Sequence, residues 1–165
     1  MPGTGAPLPH GEAFRVRVAW RAGCPVVPGG CAMSDVAGTY GCERCMPADA
    51  AAAWAAARKL DHATTFVDES HFMVTLRGCG ECGQRFVHVF AEQIDWRDGE
   101  DPQWRALAPV SMAEAVGLAG LDAAALERAF SALNPPRPCL VSWWASDGEK
   151  SEYWAETPVP IMPHD

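Results

Sequence analysis

Two periodicities run along the chain. In residues 64–67, 71–77, 84–94 and 104–107, apolar, aromatic and β-branched side chains follow one another or alternate with polar ones, as in buried and half-buried strands. Phe86, His88 and Phe90 share one phase, and Val87 and Val89 the other. Residues 139–145 and 150–156 repeat the pattern around Ser146-Asp147-Gly148, which predicts a hairpin. A helical period occurs in three places. Ala50, Ala53, Trp54, Ala57 and Leu60 fall on one face of a predicted helix over 50–59, with Pro47 suited to its first position and Asp49 to its positive end. Ser111-Met-Ala-Glu114 is a capping box that opens a helix of about two turns, limited by Gly117 and Gly120. Asp122 caps a third helix over 123–133, where Leu126, Phe130 and Leu133 form a core stripe before Pro135 and Pro136 end it. Runs of strands with a few helices predict an α+β fold: a mainly antiparallel sheet of about five strands with the helices packed against it.

Residues 1–35 break this pattern. Pro2, Pro7, Pro9, Pro25 and Pro28 share the segment with six glycines, and only residues 14–20 alternate, with Phe14, Val16, Val18 and Trp20 on one side. The expectation is an irregular or flexible segment followed by one globular domain over 36–165. On the same compositional break, Met33 is a candidate native start.

Size and charge narrow the classes. A chain of 165 residues suits one domain and can bury about two thirds of its surface without staples. Its formal net charge is −8, which repels phosphate, and no run of Lys and Arg offers a local exception. General nucleic-acid binding is therefore disfavoured. No 18-residue apolar window exists, and Arg15 and Arg17 interrupt the apolar residues of 14–20, so neither a membrane span nor a secretory signal is expected. Arg21-Ala-Gly-Cys24 is similar to a lipoprotein cleavage site but follows no hydrophobic segment. The expected location is the cytoplasm, where paired cysteines more often hold metal than form disulfides.

The chemistry sits in the cysteines. Gly41-Cys42-Glu-Arg-Cys45 and Cys79-Gly-Glu-Cys82-Gly are two CxxC pairs. Zinc in a structural role takes four such thiolates in a tetrahedron, and a CxxC turn aims two sulfurs at one ion. Gly80 and Gly83 suit that turn, because such loops often need positive φ. Cys79-x-x-Cys82-Gly-x-x-Phe86 resembles the knuckle of zinc ribbons and treble-clef fingers, which implies that Cys79 and Cys82 are ligands on a strand–knuckle–strand hairpin. Cys42-x-x-Cys45 before a helix resembles the other half of a treble clef, where the helix start supplies the remaining ligands. The order is inverted here and 33 residues separate the pairs, enough for a helix and a strand to bring the chain back to one ion. The expected metal site is Cys42, Cys45, Cys79 and Cys82 around one Zn²⁺. The resemblance covers about ten residues, so it implies a local element rather than a family function.

Other residues have simpler readings. Cys139 opens a buried strand and reads as a small core residue. Cys24 and Cys31 lie in the irregular segment and read as free thiols, with mutual pairing or a weak second site as the alternatives. His62 and His71 flank the middle strands and are candidates to approach each other; His88 is in phase with the core. Asp95, Asp98, Glu100 and Asp101 form an acidic turn that lacks calcium-loop spacing. Trp143 and Trp144 must point to opposite sheet faces, so one is a candidate for a protein-binding surface. The leading expectation is a non-catalytic, zinc-stabilised accessory or interaction protein with a basic protein partner. The rivals are an enzyme, either a CxxC dithiol oxidoreductase or a hydrolase without a local motif, and a zinc-ribbon nucleic-acid binder.

Overall fold

A computed structural model describes residues 40–94, 96, 101–134, 136–156 and 161. In chain order it contains α1 (Ala50–Ala57), β1 (Asp61–Asp68), β2 (Phe72–Gly78), β3 (Arg85–Glu92), β4 (Gln103–Val110), α2 (Met112–Leu118), α3 (Ala123–Ser131), β5 (Cys139–Trp144) and β6 (Lys150–Ala155). The segment 1–35, with Cys24, Cys31, Met33 and the alternating residues 14–20, lies outside the described residues, as does most of the acidic turn.

The α+β architecture is as expected. The strands form one sheet in sequence order, β1 to β6, with every neighbour antiparallel. Among the described residues there are six strands rather than about five, and both edges, β1 and β6, are largely exposed. β4 runs beyond the predicted 104–107 to Val110. Pro109 is tolerated because it lies past the last β4–β5 pair, Leu107–Leu140, where its missing N–H removes no bond to β5.

The sheet buries its faces differently. On one face Phe72, Val74, Val87, Val89, Ala106 and Val141 form a wholly apolar layer against Leu126 and Phe130 of α3 and Ala115 and Leu118 of α2. Cys139 is fully buried in this layer, in the core place its strand position predicts. The Ser111–Glu114 capping box is present in full: Ser111 Oγ accepts from the Glu114 N–H at 3.2 Å, and the Glu114 carboxylate accepts from the Ser111 N–H at 2.7 Å. The same carboxylate takes two bonds from Arg137, at 2.7 and 2.8 Å. Arg137 is only 2% exposed and also donates to the Pro109 carbonyl at 3.1 Å. The guanidinium holds the Glu114 carboxyl below its ordinary range. Nothing in the Pro-Arg-Pro sequence signals this buried ion pair.

On the other face the apolar cover is short. α1 lays Ala53, Trp54 and Ala57 on Phe86, Leu107 and Leu140, and Trp54 Nε1 donates to the Val141 carbonyl at 3.3 Å. Cys45, Met46 and Cys79 belong to this same small cluster. The second apolar layer therefore ends at the cysteines.

Candidate metal centre

The two CxxC pairs meet. Cys42, Cys45, Cys79 and Cys82 each offer one sulfur, and all four sulfurs lie within 4.8 Å of one another. Cys42 Sγ and Cys45 Sγ are 3.7 Å apart, as are Cys45 Sγ and Cys82 Sγ. A disulfide would need about 2.05 Å. A tetrahedron with Zn–S bonds of about 2.3 Å has edges of about 3.8 Å. The sulfurs thus have the spacing of a four-thiolate shell, and the donor set fits a soft divalent ion. Cys45 and Cys79 are buried, Cys42 is half-buried and Cys82 is exposed.

Each pair is held by backbone. The β2–β3 hairpin carries one knuckle: the Cys79 N–H donates to the Gln84 carbonyl and the Gly83 N–H to the Cys79 carbonyl, both at 2.9 Å. Gly83 has the positive φ expected of this turn, at 75°, whereas Gly80 does not. The second positive-φ position here is Gly41, at 72°, and a Cβ there would stand 2.8 Å from Cys45 Sγ. In the first knuckle the Cys42 N–H donates to Cys45 Sγ at 3.2 Å, and the N–H groups of Cys45 and Met46 close onto the Cys42 carbonyl.

The expected link between this knuckle and a helix start needs correction. Asp49, not Pro47, begins α1: it is the N-cap, and its carboxylate accepts from the Ala52 N–H at 2.8 Å. A residue before proline avoids the helical region, so Met46 cannot carry the turn straight into the helix. Within this knuckle the N–H that reaches a sulfur is that of Cys42, on Cys45 Sγ, and it comes from the turn rather than from α1.

Gln84 ties the knuckles together. Its Oε1 accepts from the Gly41 N–H at 3.2 Å, and its Nε2 donates to the carbonyls of Arg85 and Val110 at 2.7 and 3.0 Å. Neither Gly41 nor Gln84 stands out in the sequence as part of a site. Position supplies the only hint: each lies beside a CxxC pair. Arg44 and Glu81, the middle residues of the two pairs, also form an ion pair across the knuckles; both are exposed, so it adds little energy.

The thiols do not share one electrostatic fate. Burial pushes the Cys45 and Cys82 thiols up. At Cys79 burial also opposes ionisation, but the N–H groups of Cys82 and Glu81 and the neighbouring sulfurs outweigh it, and the shift is downward. Four thiolates this close repel one another, and a divalent cation among them removes that conflict.

Among the described residues, the three histidines do not join the sulfur cluster. His62 bonds Thr65 Oγ1 at 3.1 Å, and His71 Nδ1 sits 3.3 Å from the Glu92 carboxylate at the opposite end of the sheet. They do not approach, because β1 and β2 are antiparallel and His62 pairs with Arg77. His88 points to the α1 face, edge-on to Trp54 with ring centroids 6.2 Å apart. Trp143 and Trp144 diverge as predicted: Trp143 packs on the large apolar layer and Trp144 is 48% exposed. No helix among the described residues is long and apolar enough to cross a membrane. Compared with known proteins, the chain matches no family model, no curated protein and no solved structure.

Proposed function

We propose that Cys42, Cys45, Cys79 and Cys82 bind one structural Zn²⁺ and that the protein is a non-catalytic, zinc-stabilised accessory or interaction protein. The observation that carries this reading is the sulfur cluster, with S···S separations of 3.7 Å at the edge length of a ZnS₄ tetrahedron. Four protein ligands fill the coordination shell, and catalytic zinc keeps a position open for water or substrate. The ion would clamp the loop before α1 to the β2–β3 hairpin, and so hold α1 on the sheet in a domain spanning 36–165. The reduced CxxC pairs favour the cytoplasm. The net charge of −8 favours a basic protein partner, seated away from the cationic residues around Trp144.

Metal analysis with thiol counting tests this reading. The protein as purified should hold one zinc per chain, with these four thiols unreactive until a chelator removes the ion. A metal-free protein that turns over a disulfide substrate through Cys42 and Cys45 would overturn it in favour of the dithiol oxidoreductase.

A further inference from the structure

The α1 face of the sheet is covered only near the sulfurs. Beyond that cover it sinks into a cleft of about 400 Å³. α1 contributes Trp54 and its C-cap Arg58, the strands contribute Arg77, His88 and Arg105, and the β5–β6 hairpin contributes Trp144, Lys150 and Glu152.

The sign of this cleft is opposite to that of the chain. Four cations, Arg58, Arg77, Arg105 and Lys150, face one carboxylate, Glu152, already paired to Lys150 at 2.7 Å. The four are scattered in sequence, so no basic run announces them; the antiparallel register gathers them. Arg77 Nε is buried and has no hydrogen-bond partner among the described residues. That nitrogen is out of a ligand's reach, so Arg77 brings charge to the cleft rather than a bond from Nε. Arg105 keeps one N–H on Gln103 Oε1 at 3.1 Å and lies over the Phe90 ring, which fixes its guanidinium plane. His88 lies among them without adding charge: burial, then Arg77 and Arg105, push it down to about 3. It is neutral near pH 7 and can donate or accept one bond.

We propose that this cleft is a binding site for a small phosphorylated molecule carrying a planar ring, the nucleoside monophosphate class. Three guanidiniums and an ammonium exceed what one carboxylate group would balance, whereas a phosphate monoester brings a charge of about −1.5 to −2. Arginine forks match its oxygens in pairs. The exposed Trp144 offers a face for the ring. The volume suits a small ligand. A nucleic-acid polymer is disfavoured, because its phosphates outside the cleft would meet a body of net charge −8. The site does not depend on which ion the sulfurs hold.

The test is titration of the full chain, as purified, with AMP, inorganic phosphate and citrate, followed by tryptophan fluorescence and calorimetry. AMP should saturate one site. Arg105→Gln should weaken AMP and phosphate by at least about tenfold, the size of lost charge-assisted bonds. Arg77→Gln should do the same; should that variant fail to fold, the exposed Arg105 carries the test. Trp144→Ala should weaken AMP and leave phosphate unchanged. Arg128→Gln, exposed on α3 across the sheet, should change neither. The proposal is overturned by the absence of saturable AMP or phosphate binding up to about 10 mM, or by equal losses in Arg128→Gln and Arg105→Gln. Citrate binding as tightly as AMP would overturn the phosphate assignment, and an oligonucleotide binding more tightly than AMP would overturn the small-molecule one.

Discussion

The two faces of the sheet are closed by different means. Under α2 and α3, apolar side chains run from β2 to β5, and Arg137, the one buried charged side chain among the described residues, is matched by Glu114 and a carbonyl. Under α1 the apolar patch is small. α1 itself is eight residues, seven alanines and one tryptophan, too short to be stable alone and lightly anchored by Trp54. What fixes its position is the chain on either side: the cysteine knuckle before it and β1 after it. The first face is held by burial, which works in any chain of this patterning. The second ends at four sulfurs that could hold a metal ion, with a polar cleft beside them.

This contrast breaks most visibly on metal removal. Zinc in four-thiolate sites contributes on the order of 10 kcal/mol of binding energy. Chelation should therefore raise amide exchange first in α1 and both knuckles, while β3, β4 and α3 keep their protection. Simultaneous loss of protection in both layers would show that the faces are not separable. The next largest effect belongs to the opposite face. Glu114→Gln leaves the Arg137 guanidinium buried without its counter-charge and should cost about 3 kcal/mol in urea unfolding, with zinc content unchanged. A loss below about 0.5 kcal/mol would mean that Arg137 finds another partner.

A smaller effect sharpens the account of the α1 face. His88 has a folded pKa of about 3, below its ordinary value of 6.5. Between those values the unfolded chain binds more protons than the folded one, so stability is full above pH 6.5 and declines as pH falls towards 3. From pH 7 to pH 5 this term should remove about 1 kcal/mol, less than full linkage because the ring partly faces the cleft. His88→Asn should flatten the pH dependence by that amount in urea unfolding at the two pH values. An unchanged slope would place the proton uptake elsewhere.

Much of the fold was legible because patterning and burial coincide in it. The period of two in residues 71–77 and 84–94 located β2 and β3, the capping box at Ser111–Glu114 opened α2, and Asp122 capped α3, where its carboxylate accepts from the Ala125 N–H at 2.7 Å. The four cysteines were legible because CxxC spacing is itself a geometric statement. Other features depend on register, which local sequence does not carry. Gln84 matters because the hairpin brings it to Gly41, and Arg137 because the chain returns beside α2. Pro47 and Asp49 are both good helix starts, and the helix takes the second: Asp49 is the N-cap and Ala50 the first helical residue, three positions after Pro47. Net charge carried no sign of the cleft. A value of −8 describes the whole chain, while Arg77, Arg105 and Lys150 come together only when β2, β4 and β6 lie in one sheet.

The most direct test of the clamp is X-ray absorption at the zinc edge on the purified chain. Four sulfurs at about 2.3 Å and no nitrogen or oxygen in the first shell are predicted. A shell of three or fewer sulfurs completed by water or histidine, or no zinc at all, would contradict it.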